Sequence, residues 1–271
     1  MTASLPVPTW LVGCGNMAGA IVDGWRLANV DLSSATVIRP SGTPVEGVRT
    51  VTDFLQAGDF PAMVLLGFKP QKLDEVAPEL ARYVTADTVI VSILAGVETA
   101  SLRSRFPTAR AVVRAMPNLP VAVRRGVVGL FSDDADDQLK AQLGELFATL
   151  GFAMWMTDEA RLSALGAVAG AGPAYVARFI AALAKAGEAR GLSPEIAQTI
   201  AQETVLGTVW LASSTRESMA DIARRVASPN GTTEAGLAVL DRDEVLDQLI
   251  AVTIEAAARR GAELAAEARL S

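Results

Sequence analysis

The chain has 271 residues, 51% of them hydrophobic and 20% charged, with a formal net charge of −6. This composition builds packed apolar cores, and at ~100–200 residues per domain the length suggests about two domains. Histidine is absent, which excludes a Ser–His–Asp triad, a histidine metal site and a histidine general base; a single cysteine, Cys14, excludes an internal disulfide and a multi-cysteine zinc site.

The first half alternates strand-like and helix-like segments. The apolar run 9–12 ends in Gly13, residues 15–28 read as a helix, and 35–38 reads as a second strand. Runs 63–67 and 88–93 are continuously apolar, as suits parallel strands buried on both faces, and 71–84 between them has helical spacing. Strands follow at 111–116 and 127–131, then an amphipathic helix over 133–150 with acidic residues in its first turn. The alternation predicts a doubly wound α/β domain. After about Asp158 the strand signals stop. Helices are expected over 173–190, from Pro194 behind an N-cap Ser193 to about 213, over 219–226, 232–240 and 245–270. The division is therefore 1–157, a Rossmann-type nucleotide-binding domain, and 158–271, an all-α domain. Several of these helices are apolar on more than one face, as in 174–177 and 179–183, which suggests a symmetric dimer. The stretch 164–184 is borderline for a membrane span but is broken by Gly-Ala-Gly-Pro and Arg178, so helix packing is expected and no membrane. The N-terminus lacks the basic start of a signal peptide, the acidic balance argues against nucleic acid, and a reducing cytoplasm is the expected compartment.

Gly13, Cys14, Gly15, Asn16, Met17 and Ala18 form a G-x-G-x-x-A fingerprint between a strand and a helix. Gly13 permits the turn, Gly15 admits a pyrophosphate and Ala18 allows close helix–strand packing, with the anion at the helix N-terminus. Cys14 reads as a small packing residue. No acid follows the second strand; Arg39 and Ser41 stand there instead and suit a 2′-phosphate, which favours NADPH, with NADH possible. Three more segments fall at strand ends: Gly67-Phe68-Lys69-Pro70, Ala95-Gly96 and Met116-Pro117-Asn118. Ligands of open α/β sheets bind beyond the carboxyl ends of the strands, so these converge on one crevice.

The motifs Gly13 to Met17, Lys69-Pro70, Arg114 to Asn118, Gly172-Pro173-Ala174-Tyr175 and Ser228-Pro229-x-Gly231-Thr232-Thr233, in this order, resemble pyrroline-5-carboxylate reductases. The resemblance implies an NAD(P)H domain, a helical domain interleaved with a partner subunit, and reduction of 1-pyrroline-5-carboxylate to L-proline. It implies that residues 13–18 hold the pyrophosphate, that Arg39 and Ser41 flank the adenosine phosphate, and that the segments at 67–70, 95–96 and 116–118 line the cofactor. Ser228, Asn230, Gly231, Thr232 and Thr233 would bind the substrate carboxylate, Thr233 standing nearest the ring nitrogen as the catalytic hydroxyl. Glu217 matches an acidic residue before this loop, or is a surface charge. Tyr175 reads as a dimer-core residue rather than a proton donor, and Lys69 as a shaper of the cofactor pocket rather than a base. The family often has Ser at position 171 and Gly at position 230, where this chain has Ala171 and Asn230, and a His-Pro pair where Ser218-Met219 stand. Another cyclic imine as substrate, a noncatalytic NADPH-sensing dimer, and assembly as a dimer or a larger ring of dimers remain open. No metal is expected.

Overall fold

The structure, a computed structural model, describes residues 4–270, with side chains described to residue 266. Two compact units are distinguished: one holds the chain up to Ala171 together with the segment from Ala257 on, and the other is Gly172–Ala256.

In the first unit, β1 (Thr9–Val12), β2 (Ala35–Ile38), β3 (Arg49–Val51), β4 (Met63–Leu66), β5 (Val89–Ser92), β6 (Ala111–Pro117), β7 (Gly126–Phe131) and β8 (Gly151–Trp155) form one sheet in the order β3-β2-β1-β4-β5-β6-β7-β8. All neighbours are parallel except β6 and β7, which are antiparallel. Helices α1 (Asn16–Leu27), α2 (Leu73–Leu80), α3 (Thr99–Arg105), α4 (Asp137–Ala148) and α5 (Glu159–Leu165) complete the unit's first 171 residues, and a π-turn, Gly166–Gly170, follows α5. Because successive strand residues face opposite sides, each strand feeds two cores. Leu11, Val37, Leu65, Val91 and Val113 pack with Ile21, Trp25, Leu143 and Phe147 of α1 and α4. Trp10, Val12, Val64, Leu66, Ile90 and Val112 pack on the other face with Leu73, Leu80 and Leu102 of α2 and α3.

The expected strands and the Rossmann-type fold are present. The helix expected over 71–84 is instead an α-helix flanked by 3₁₀ turns, Pro70–Lys72 and Ala81–Tyr83. The helix expected from 133 starts at Asp137, because Asp136 is its N-cap and accepts the Leu139 N–H at 2.8 Å. The short β3, α3, the edge strand β8 and helix α5 were not anticipated.

The second unit consists of α6 (Gly172–Glu188), α7 (Pro194–Thr215), α8 (Met219–Val226), α9 (Thr232–Leu240) and the first part of α10 (Val245–Leu270). Ser193 caps α7 as expected. This unit has little core of its own: Ala184, Ala197 and Ala201 cluster with half-buried Ile180. The run Glu159–Glu188 is long and apolar enough to cross a membrane by length and composition, and only 11% of its apolar window is buried. The expectation that this run is buried by helix packing is therefore not met within a single chain.

Candidate active site

The order of the sheet reverses at β1, which has β2 on one side and β4 on the other. Ligands of such sheets bind at this switch point, beyond the strand ends. Backbone bonds fix the loops there: Gly13 N–H donates to the Ile38 carbonyl at 2.8 Å, Gly67 N–H to Val12 at 2.8 Å, and Ile93 N–H to Leu66 at 3.2 Å.

Gly13 has φ +77°, and a Cβ there would lie 2.9 Å from the Phe68 Cβ and 3.0 Å from the Gly67 carbonyl. A Cβ on Gly67 would lie 2.8 Å from the Ala18 Cβ. Gly13 and Gly67 are thus packed backbone to backbone, with the Ala18 methyl against them. Gly15 differs, because a Cβ built there meets nothing within 4 Å. It is the N-cap of α1, with no side-chain cap and no acidic residue in the first turn. The first helical N–H groups lack intrahelical acceptors by geometry, so they and the helix dipole face open space. This is a cradle for an anion such as a dinucleotide pyrophosphate. The Cys14 thiol lies in the core, and burial raises its pKa, while the Arg39 charge pulls in the opposite direction. The thiol is a packing group, as the sequence suggested, and Arg39 is close enough to the loop for its charge to be felt there.

Arg39, half-buried, follows β2, and Gly42 N–H closes a turn onto its carbonyl at 3.0 Å. The exposed Ser41 Oγ accepts from the Thr43 hydroxyl at 3.0 Å and remains free to donate its own proton. Thr43 was missed in the sequence; its signal is the Ser-Gly-Thr turn itself. Lys69 is exposed, precedes the Pro70–Lys72 turn, and has no carboxylate partner among the described residues. Ala95 is exposed, and Gly96 (φ +76°) lies against the backbone of Leu264 and Ala265. Met116 is half-buried and Pro117 buried. Both ends of the buried Asn118 carboxamide are taken by protein: Nδ2 donates to the Ala169 carbonyl at 3.0 Å, and Oδ1 accepts the Val127 N–H at 2.8 Å.

In the second unit, Gly231 is the N-cap of α9, again without a side-chain cap, and Thr232 and Thr233 form its first turn. Ser228 and Asn230 are exposed, and Thr233 is half-buried. Asn230 adopts φ +57°, so the residue standing where the family often has glycine keeps a left-handed turn. Gly231 N–H bonds the Ser228 carbonyl at 2.9 Å. Glu234 Oε2 accepts the Asn230 N–H at 2.6 Å, a bond signalled by an acid three residues past the cap. Glu217 pairs with Arg225 at 3.0 Å. Tyr175 is half-buried on α6.

A curated pyrroline-5-carboxylate reductase of Pseudomonas aeruginosa is 37% identical to this chain over 94% of it and 95% of the relative. The chain belongs to the pyrroline-5-carboxylate reductase family. The family model described as pyrroline-5-carboxylate reductase dimerisation matches residues 159–264, and one described as NADP oxidoreductase, coenzyme F420-dependent, matches 10–96. A solved pyrroline-5-carboxylate reductase structure from Coxiella burnetii superposes with TM-score 0.87 at 31% identity, covering 96% of this chain and 99% of that one. A Plasmodium falciparum pyrroline carboxylate reductase, solved with NADP bound, shares the fold at TM-score 0.84 and 22% identity, covering 96% of this chain and 98% of that one. Family membership makes the chain an oxidoreductase with a nicotinamide cofactor and a small-molecule substrate, and the dimerisation match makes it an oligomer.

Proposed function

We propose that the chain reduces 1-pyrroline-5-carboxylate to L-proline with NADPH, the last step of proline biosynthesis, as a cytoplasmic homodimer. The observation that carries this reading is the similarity to a reductase of that name along nearly the whole chain. It is supported by the open anion cradle at Gly15, which such chemistry needs. In the same reading, residues 1–157 serve the cofactor, and residues 158–271 serve pairing and the substrate.

A reduced nicotinamide supplies hydride when bound. The chain holds the pyrophosphate on the uncapped N–H groups of α1. Arg39 and the Ser41 hydroxyl take the 2′-phosphate, and no acid follows β2 in the sequence before Glu46. The α9 N-terminus, with donors from Thr232 and Thr233, binds the substrate carboxylate. Hydride adds to the imine carbon, and the C=N π electrons return to nitrogen. A nitrogen already protonated keeps its proton, so the reaction needs no histidine or strong acid. The Thr233 hydroxyl hydrogen-bonds the ring nitrogen as its charge changes. The protein's main contributions are position and carboxylate binding.

The test follows loss of NADPH absorbance with purified protein and 1-pyrroline-5-carboxylate, repeated with NADH. Turnover with a higher kcat/KM for NADPH is expected. Binding of NADPH without turnover of this imine, but with turnover of a six-membered or pyrroline-2-carboxylate substrate, would move the assignment to that ring. Binding without turnover of any cyclic imine would indicate a sensing dimer.

A further inference from the structure

Residues 114 and 116 of β6 share one side of the strand, since side chains alternate, and Asn118, still extended just past the strand end, continues the alternation. Each grips a successive part of the segment 159–170. Arg114, buried, donates from Nη1 to Glu159 Oε1 at 2.8 Å, at the first residue of α5. The same oxygen accepts the Thr99 N–H at 2.9 Å, so Glu159 also ties down the residue that ends the Ala95–Gly96 loop and opens α3. Met116 lies against Gly166, where a Cβ would come within 3.3 Å of its Cε and 3.4 Å of its Sδ. Asn118 donates to the Ala169 carbonyl inside the π-turn, a stretch whose regular helical bonding is broken.

The spacing agrees with a segment lying alongside the strand. From 159 to 169 a helix rises ~15 Å, and from 114 to 118 a strand rises ~13 Å, both in the same chain direction. The antiparallel partner β7 contributes from below: Gly129 lets Leu162 and Leu165 approach, with a Cβ there only 2.8 and 3.0 Å from their Cδ1 atoms. The segment 116–118 reads as cofactor lining in the sequence, yet the Asn118 amide is committed to protein groups, as is the neighbouring Arg114–Glu159 pair.

We infer that Arg114, Met116 and Asn118 are positioning residues, a three-point clamp that fixes α5, the π-turn and, through Glu159, the Ala95–Gly96 loop, so that hydride transfer occurs in register. This rests on the reductase reading. The clamp acts through the chain segment that enters α6 and through the cofactor loop, and none of its three side chains is required to touch a reactant.

The test uses the full-length protein with Asn118→Asp, Glu159→Leu and Glu159→Gln. Aspartate keeps the acceptor for Val127 N–H and loses the donor to Ala169. Glutamine keeps an acceptor for Arg114 and Thr99, and leucine keeps neither. Three readouts are taken: NADPH Kd by fluorescence, kcat and KM for the imine at saturating NADPH, and hydrogen–deuterium exchange at residues 95–99 and 166–171. In Asn118→Asp and Glu159→Leu, kcat should fall about tenfold or more, since small misplacement is costly. NADPH Kd should stay within about twofold in Asn118→Asp, a split between binding and chemistry, and should weaken in Glu159→Leu, where the freed Ala95–Gly96 loop lines the cofactor. Exchange should rise at 166–171 in the first variant and at 95–99 in the second, and Glu159→Gln should recover most of both losses. Parent-like kcat and exchange would overturn the clamp. So would a loss of NADPH affinity parallel to kcat in Asn118→Asp, which would make Asn118 a cofactor contact, and so would equal defects in the Glu159→Gln and Glu159→Leu variants. Exchange is read whether or not the parent turns over, so failure of the reductase reading and failure of the clamp are separate outcomes.

Discussion

Two glycines two residues apart do opposite work. A side chain at Gly13 meets the Gly67 carbonyl and the Phe68 Cβ and must adopt φ +77°, whereas at Gly15 (φ −83°) it meets open space. Gly13→Ala is therefore expected to lower the melting temperature, and Gly15→Ala to leave it near the parent's while raising the NADPH Kd, because its methyl fills the space a pyrophosphate needs. Thermal melts and a fluorescence titration on both proteins check this, and an unchanged Kd in Gly15→Ala would remove the cradle argument. Arg39→Glu places a like charge where the 2′-phosphate is to sit; a charge-assisted bond of about 1.5–3 kcal/mol translates to a loss of ~10–150-fold in the NADPH-to-NADH ratio of kcat/KM. Thr233→Ala removes one hydroxyl at the substrate end. It should lower kcat/KM for the imine by about tenfold or more with NADPH Kd intact, at ~1–3 kcal/mol for a partner left unsatisfied.

At the scale of elements, carboxylates cap two helices of the first unit. Asp136 accepts the Leu139 N–H and Asp158 the Arg161 N–H, and these backbone bonds hold both carboxyls below the usual range. Because the folded pKa values are depressed, the stabilisation is fully present above the unfolded aspartate value of about 3.9 and is lost as pH falls through the lower folded values. Acid unfolding should therefore be less steep below about pH 4 in the double variant Asp136→Asn, Asp158→Asn, which keeps a capping oxygen but does not titrate. Equal steepness in both proteins would locate the acid sensitivity elsewhere. The same elements explain what the sequence could and could not disclose. Strands β1, β2, β4 and β5 are largely apolar runs close to glycine or proline, and β6 is such a run interrupted by Arg114, so their signal is local. The edge strand β8, Gly-Phe-Ala-Met-Trp, is also apolar throughout, but it exposes Phe152 and Met154 and follows the helix α4 directly, so it merges with a helical pattern. Helix α3 is seven residues long and β3 three, too short for a period to register. At the site, the glycine fingerprint, the Arg39 turn and the uncapped α9 were legible because each is a local motif. The Glu159–Arg114 bond joins residues 45 positions apart, and no local pattern records it.

For the molecule as a whole, the second unit does not bury enough apolar surface to stand alone. Phe179 is 53% exposed, Trp210 64% and Leu249 59%, while the buried cluster is three alanines. Large exposed apolar patches mark an interface with protein or with lipid, and the dimerisation match over 159–264 favours a second copy of the chain. Folding and pairing are then one equilibrium, as in obligate homodimers without a stable folded monomer. Each tenfold dilution should cost about 1.4 kcal/mol of stability per mole of dimer, so the melting temperature must fall as the protein is diluted. Trp210→Glu puts a charge into the covered face and should yield a monomer of lower melting temperature, read by sedimentation. The run 159–188 satisfies the length and hydropathy of a membrane span, so vesicle flotation belongs beside the dilution series. A parent protein that sediments as a dimer and stays with the soluble fraction would agree with coverage by a partner. A concentration-independent melt from a monomer that floats with vesicles would mean that lipid, and not a second subunit, covers these helices.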